Sequence, residues 1–177
     1  MKQNTLVSFL KNFVIPVAIG LAVAKALTMW VASAAVVVSG SMEPTLPYPT
    51  YLLIDRAAIE FEQPYRGEVI MFHHPPHSTK DDPLLKRIIG LPGDTVVIKD
   101  SKVYINNKPL SEPYLKVKTL GNFGPYHVPK NSYFVMGDNR NNSFDSRYWQ
   151  DHYVPRANII GRVDAVLWPV WDWRIVH

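Results

Sequence analysis

Leu84-Leu85-Lys86-Arg87-Ile88-Ile89-Gly90-Leu91-Pro92-Gly93-Asp94-Thr95-Val96-Val97-Ile98 is the stretch that sets the fold class. Its ends, Leu84–Ile89 and Thr95–Ile98, are short aliphatic and β-branched runs that suit a pleated, half-buried surface. Between them Leu91-Pro92-Gly93-Asp94 fits a type II turn, with proline presetting φ at the second position and glycine accepting a positive φ at the third. The same grammar recurs on both sides. Tyr51–Asp55, Glu68–Phe72, Val103–Ile105, Ser132–Met136 and Ile160–Leu167 read as further strands, and Asn106-Asn107 as a tight hairpin turn. Fifteen prolines, nearly all beyond Val38, argue against long helices there, because an interior proline costs about 3 kcal/mol. Ser111–Pro129, rich in Pro, Gly and Tyr, is expected to form a loop or small cap. The expected class is mainly β, with an antiparallel sheet.

The amino-terminal end obeys different rules. From Phe13 to Val38 the only charge is Lys25, and a membrane-spanning helix needs about 20 residues. The span is placed at Leu6–Ala24, with Lys25 snorkelling at its far end and Lys2 and Lys11 favouring a cytoplasmic amino terminus. A buried core helix and a removable signal peptide cut after Ala32-Ser33-Ala34 are the competing readings; the apolar region is long for a signal. An uncleaved anchor fits best.

Bulk composition narrows the function classes. The 177 residues are about one domain's worth, 47% apolar and 19% charged, which suits a folded chain with membrane character. A net charge of +4 favours an anionic membrane surface, while no dense basic run suggests nucleic-acid binding. The absence of cysteine excludes disulfides, thiolate catalysis and Cys-based metal sites.

Ser39-Gly40-Ser41-Met42-Glu43-Pro44-Thr45-Leu46 follows the apolar run within a few residues and offers a candidate nucleophile beside the lipid surface. Among six histidines, His73, His74 and His77 cluster beside prolines like an exposed turn, and His127, His152 and His177 are scattered. No metal site and no cofactor are expected from them. Lys86 is the other candidate base. Strand alternation gives it Leu84 and Ile88 as apolar neighbours on its own face, with Arg87 pointing away. An unperturbed lysine amine is neutral only about once in 2,500 at pH 7, and burial raises that fraction steeply. The alternative is an exposed gatekeeper lysine on an edge strand.

Three blocks occur in order: Ser39–Leu46, Lys86–Asp94 and Gly137-Asp138-Asn139-Arg140-Asn141-Asn142-Ser143-Phe144-Asp145-Ser146-Arg147. With the preceding anchor they closely resemble the type I signal peptidases of bacteria, over nearly the whole chain after about residue 6. The resemblance implies the signal-peptidase-like (complex β) fold with an N-terminal transmembrane helix, and no cofactor. It implies Ser41 as nucleophile, Lys86 as general base, and an oxyanion hole from the Ser39 hydroxyl and the Ser41 backbone N–H. Ser143 would hydrogen-bond and orient Lys86, and Asp138, Arg140, Asp145 and Arg147 would brace the third block against the dyad. Two departures stand out: Asn141 replaces an aspartate common in relatives, and the short span from Asp94 to Met136 implies a reduced cap around residues 108–132.

The implied organisation is a cytoplasmic tail over residues 1–5, an anchor over 6–25 and an extracytoplasmic β catalytic domain over 26–177. The implied activity is removal of signal peptides from secreted preproteins by a monomer in the plasma membrane, after small residues at the first and third positions before the cut. Met42, Leu46, Leu84 and Leu85 either line shallow pockets for those residues or serve as ordinary core packing. Trp30, Trp168, Trp171 and Trp173 either dip into membrane lipid or are buried in the domain. Two other classes fit less well: a catalytically silent membrane-anchored β module, which has no need of Ser41, Lys86 and Ser143 together, and a Ser-Lys self-cleaving protease of the repressor-cleaving type, which has no need of an anchor. Ala32-Ser33-Ala34 matches the implied specificity, which leaves slow self-cleavage after Ala34 as an open alternative.

Overall fold

All seven strand segments expected from the residue pattern are strands in the computed structural model, which describes residues 7–74 and 82–176 and omits the side chains of 26–30 and Val170. The expectations for the 1–5 tail, Lys2, Leu6, His77 and His177, and for the Trp30 side chain, lie outside the described residues. A π turn, Leu10–Val14, leads into α1 (Ile15–Trp30), and a short α2 (Ala57–Phe61) follows later. The strands are β1 (Ala32–Val37), β2 (Thr50–Asp55), β3 (Val69–Phe72), β4 (Leu84–Gly90), β5 (Thr95–Lys99) and β6 (Lys102–Ile105). They continue as β7 (Lys108–Pro109), β8 (Phe123–His127), β9 (Ser132–Met136), β10 (Val154–Pro155), β11 (Ile159–Trp168) and β12 (Arg174–Ile175).

The main sheet runs β1-β2-β11-β3-β4-β9-β10, with β12 added to β11, and a smaller sheet runs β7-β6-β5-β8. Every pairing is antiparallel. Register shifts in β11 opposite β2 and β3, and in β4 opposite β9, add twist and curl the sheet. The type II turn forms as its residues demand: Asp94 N–H donates to Leu91 O at 3.0 Å and Gly93 takes φ +88.

Alternation along β4 sends its side chains into three apolar clusters. Leu85 packs on the cluster of Met42, Leu46 and Val69, Leu84 and Ile88 join that of Phe72 and Trp149, and Ile89 meets the small sheet through Val96 and Phe134. The strand that carries Lys86 is therefore the seam of the molecule. Alanine-rich β1 was not expected as a strand, since it continues the apolar run and alanine has little preference for sheets. It forms because six residues pair with β2, from Ala32 opposite Asp55 to Val37 opposite Thr50. Ala34 thus lies inside a ladder opposite Leu53, so self-cleavage there requires β1 to unpair. Ser111–Pro129 contains a strand as well, because β8 pairs with β5, and the second sheet begins at Thr95, earlier than the expected cap.

Residues Val7–Lys25 form a helical stretch of mean hydropathy 1.9 with no buried residue, long and apolar enough to cross a membrane. Its full exposure removes the reading of a buried core helix. Trp168, Trp171 and Trp173 are exposed, which likewise removes burial as their explanation.

Candidate active site

One residue after α1, β1 leads the chain along the sheet edge to the 3-10 turn Gly40–Met42. Met42 and Leu46 are buried in the core and fasten this turn from below, aided by a bond from Leu46 N–H to Met42 O at 2.9 Å. Asn139 fastens it from the side: its N–H donates to Ser41 O and its Nδ2 to Gly40 O, both at 3.0 Å. Ser41 is thereby presented to β4, where Lys86 Nζ lies 2.7 Å from Ser41 Oγ. The same amine donates to Leu85 O at 3.0 Å.

Lys86 is only 4% exposed. Burial lowers its pKa from 10.5 to about 8, with smaller contributions from Asp145, which raises it, Arg147, which lowers it, and Asp138, which raises it. At that value about one amine in ten is neutral at pH 7. Burial removes the reading of Lys86 as an exposed gatekeeper. The Ser39 hydroxyl is 3.2 Å from Ser41 Oγ. A serine hydroxyl bonded to an amine that can lose its proton near neutrality can be activated for attack on a carbonyl.

The third block surrounds this pair with buried charge. Asp138 accepts from Arg87 through both oxygens, at 2.9 and 2.8 Å, and from Thr45 Oγ1 at 2.5 Å. Asp145 pairs with Arg147 in the same forked manner, at 2.8 Å twice, and accepts from Gly137 N–H at 3.0 Å. Arg140 donates to Gly137 O at 3.1 Å and is forked on Glu112, at 2.5 and 3.1 Å. Ser143 departs from its expected partner. Its hydroxyl donates to Asp145 Oδ2 at 2.8 Å, and Lys86 takes Ser41 and Leu85 as its hydrogen-bond partners. A side chain on Gly137 would collide with both Ser143 Oγ and Ser41 O, so the block can press against the nucleophile turn only with glycine there.

Arg87, Thr45, Asn139 and Glu112 are thus part of the site although the residue pattern assigned them no role. Asn139 stood within the third block and Arg87 beside Lys86; nothing in the sequence marked Glu112. Asn141, in place of aspartate, ties down the preceding loop: its Oδ1 accepts from Leu120 N–H at 3.0 Å and its Nδ2 donates to Lys118 O at 3.1 Å. The expected pocket residues separate. Met42 and Leu46 are core, and Leu84 packs against the Phe72 cluster. Leu85 lines a groove of about 280 Å³ between β1 and the start of β4, together with Ala34, Val36, Val38, Met71 and Asp82. His74, read as part of an exposed turn, is buried and stacks on Trp149 at 4.0 Å.

The chain is similar to known proteins over most of its length. Residues 9–168 match the family described as signal peptidase, peptidase S26. The chain is 43% identical over 159 residues to "Signal peptidase I" of Leptolyngbya laminosa, covering 86% of this chain and 77% of that protein. It is 43% identical over 145 residues to "Probable signal peptidase I-2" of Synechocystis sp., covering 80% of this chain and 65% of that protein. The crystal structure of a signal peptidase I from Enterococcus faecalis shares 34% identity and a TM-score of 0.49, over 57% of this chain and 97% of that one.

Proposed function

The chain belongs to the S26 signal peptidase family of serine-type peptidases, and on that premise we propose that it removes N-terminal signal peptides from secreted preproteins with a Ser41–Lys86 dyad. The observation that carries the proposal is the 2.7 Å approach of a buried Lys86 amine to Ser41 Oγ. Neutral Lys86 takes the Ser41 proton as Oγ attacks the scissile carbonyl carbon. The ammonium then returns that proton to the departing amine as the C–N bond breaks, leaving an acyl-serine. Lys86, neutral again, takes a proton from water, whose oxygen attacks the ester; the proton goes back to Ser41 as the acid is released. The Ser39 hydroxyl and Ser41 N–H stabilise the oxyanion in both halves. Ser143, fixed by Asp145, lies against Gly137 beside the Ser41 turn, and the Arg–Asp pairs hold the third block in place there.

The groove between β1 and the start of β4 suits an extended peptide ending in small side chains, lying beside the dyad strand. Cleavage after Ala-X-Ala is part of this proposal, and the small and aliphatic lining of Ala34, Val38 and Leu85 supports it. Val7–Lys25 anchors a single-pass monomer with its amino terminus in the cytoplasm and residues 26–177 outside. Trp168, Trp171 and Trp173 rest in the headgroup layer at the edge of the sheet. The decisive test is incubation of detergent-solubilised protein with a preprotein. Ser41→Ala and Lys86→Ala should both lose cleavage, while replacement of all six histidines should retain it. Normal cleavage by Lys86→Ala would sink the dyad.

A further inference from the structure

The segment joining β7 to β8 contacts two buried arginines, Arg87 beside Lys86 on β4 and Arg140 beside the 137–139 turn. Arg87 follows Lys86 directly on β4 and is forked on Asp138. The Tyr114 ring covers its guanidinium, with 4.1 Å between the guanidinium carbon and the ring centroid. Tyr114 O–H donates to Glu112 Oε1 at 2.9 Å, and Glu112 is forked on Arg140, a side chain without exposed surface. Arg140 in turn holds Gly137 O and takes a third partner from the same segment, Thr119 Oγ1, at 3.2 Å. Two residues after Gly137, Asn139 holds the backbone of Gly40 and Ser41. A continuous set of bonds therefore runs from Glu112 through Arg140 and the 137–139 turn to Ser41, and from Tyr114 through Arg87 to the strand that carries Lys86.

We propose that Glu112 and Tyr114 are positioning residues that set the Ser41–Lys86 approach from outside the catalytic motifs. This rests on the dyad reading above. A guanidinium buried without its carboxylate must move toward water or draw water in. Either response loosens the 137–139 turn, and a misplacement of about 1 Å costs on the order of a hundredfold in rate. Neither residue touches the groove, so substrate affinity is left alone.

The experiment compares Glu112→Gln, Tyr114→Ala and Tyr114→Phe in the full chain, solubilised in detergent, with Lys86→Ala in parallel. Cleavage of a preprotein is normalised to folded protein. Glu112→Gln should lower kcat about a hundredfold with KM within about threefold, and Tyr114→Ala should fall similarly. Tyr114→Phe, which keeps the ring over Arg87 and loses only the bond to Glu112, should recover most of the activity. Adding Arg140→Gln to Glu112→Gln should cost clearly less than the sum of the two single losses, since they share the Glu112–Arg140 contact while Arg140 also holds Gly137 O. Should Glu112→Gln fail to fold, Glu112→Asp keeps the charge and withdraws it by one methylene; a drop of about tenfold supports the proposal. Wild-type kcat in the folded variants, with only a lower melting temperature, would overturn it. Strict additivity with Arg140→Gln would do the same. If Lys86→Ala cleaves normally, the dyad reading fails and this inference with it; if Lys86→Ala is inactive and Glu112→Gln is not impaired, this inference fails alone.

Discussion

Lys86 and Arg87 are adjacent on β4 and both buried, yet the fold surrounds them in opposite ways. Arg87 is held by both oxygens of Asp138, by Gly67 O at 2.5 Å and by the face of Tyr114. Among the described residues no carboxylate pairs with Lys86, whose amine meets a hydroxyl and a carbonyl. A guanidinium keeps its proton at any ordinary pH, so its burial is tolerable only with a counter-charge beside it. An amine can release its proton, and burial without a counter-charge is what brings its pKa down to about 8. One face of the strand thus carries a cation that holds the structure together, and the other a cation kept on the edge of neutrality.

The contrast can be broken at either residue. Lys86→Met should reduce preprotein cleavage by about 10²–10⁴-fold. It should at the same time raise stability at pH 7 by up to about 3 kcal/mol, because a pKa lowered from 10.5 to about 8 means that the buried ammonium opposes folding. Thermal unfolding of both proteins checks this, and a destabilised Lys86→Met would end the contrast. Arg87→Met should act the other way, costing about 3–5 kcal/mol in urea denaturation as Asp138 is left buried with its charge unmatched. A loss below about 1 kcal/mol would make Arg87 as dispensable to the fold as Lys86.

Smaller effects sharpen the picture. Ser39→Ala should lower kcat by about 10²–10³-fold with little change in KM, as expected for a donor that acts on the oxyanion. The rate of cleavage should climb with pH and level off above about 8, as Lys86 becomes neutral. Linkage gives the matching stability profile. Between about 8 and 10.5 the unfolded chain binds the proton that folded Lys86 has released, so stability rises with pH through that window. The rise should be absent from Lys86→Met. The smallest expected effect is that of Asn141→Asp, about 1 kcal/mol, from loss of the donor to Lys118 O. Hydrogen exchange at residues 118–120 would report it.

Legibility differed across the molecule in a regular way. The seven strong strands could be read because β-branched and aromatic runs and turn residues act locally. The alanine-rich β1 could not, since its strand character comes from pairing with β2. Ser41 and Lys86 were readable as candidates from chemistry and motif. The partners of the charged residues were not: Arg87 finds Asp138 across 51 positions and Arg140 finds Glu112 across 28, distances over which no local pattern speaks. A charge on a strand reads as exposed until its partner is known. For the same reason the tryptophans allowed two readings until exposure decided against burial.

By itself the sequence determined what local chemistry determines: an apolar helix long enough to span, a β domain punctuated by turns, and a serine and a lysine of the right kinds. Only the tertiary structure brought Ser41 Oγ to Lys86 Nζ across 45 positions. Only it lowered the amine's pKa, because desolvation belongs to whatever packs around a residue and not to the residue itself.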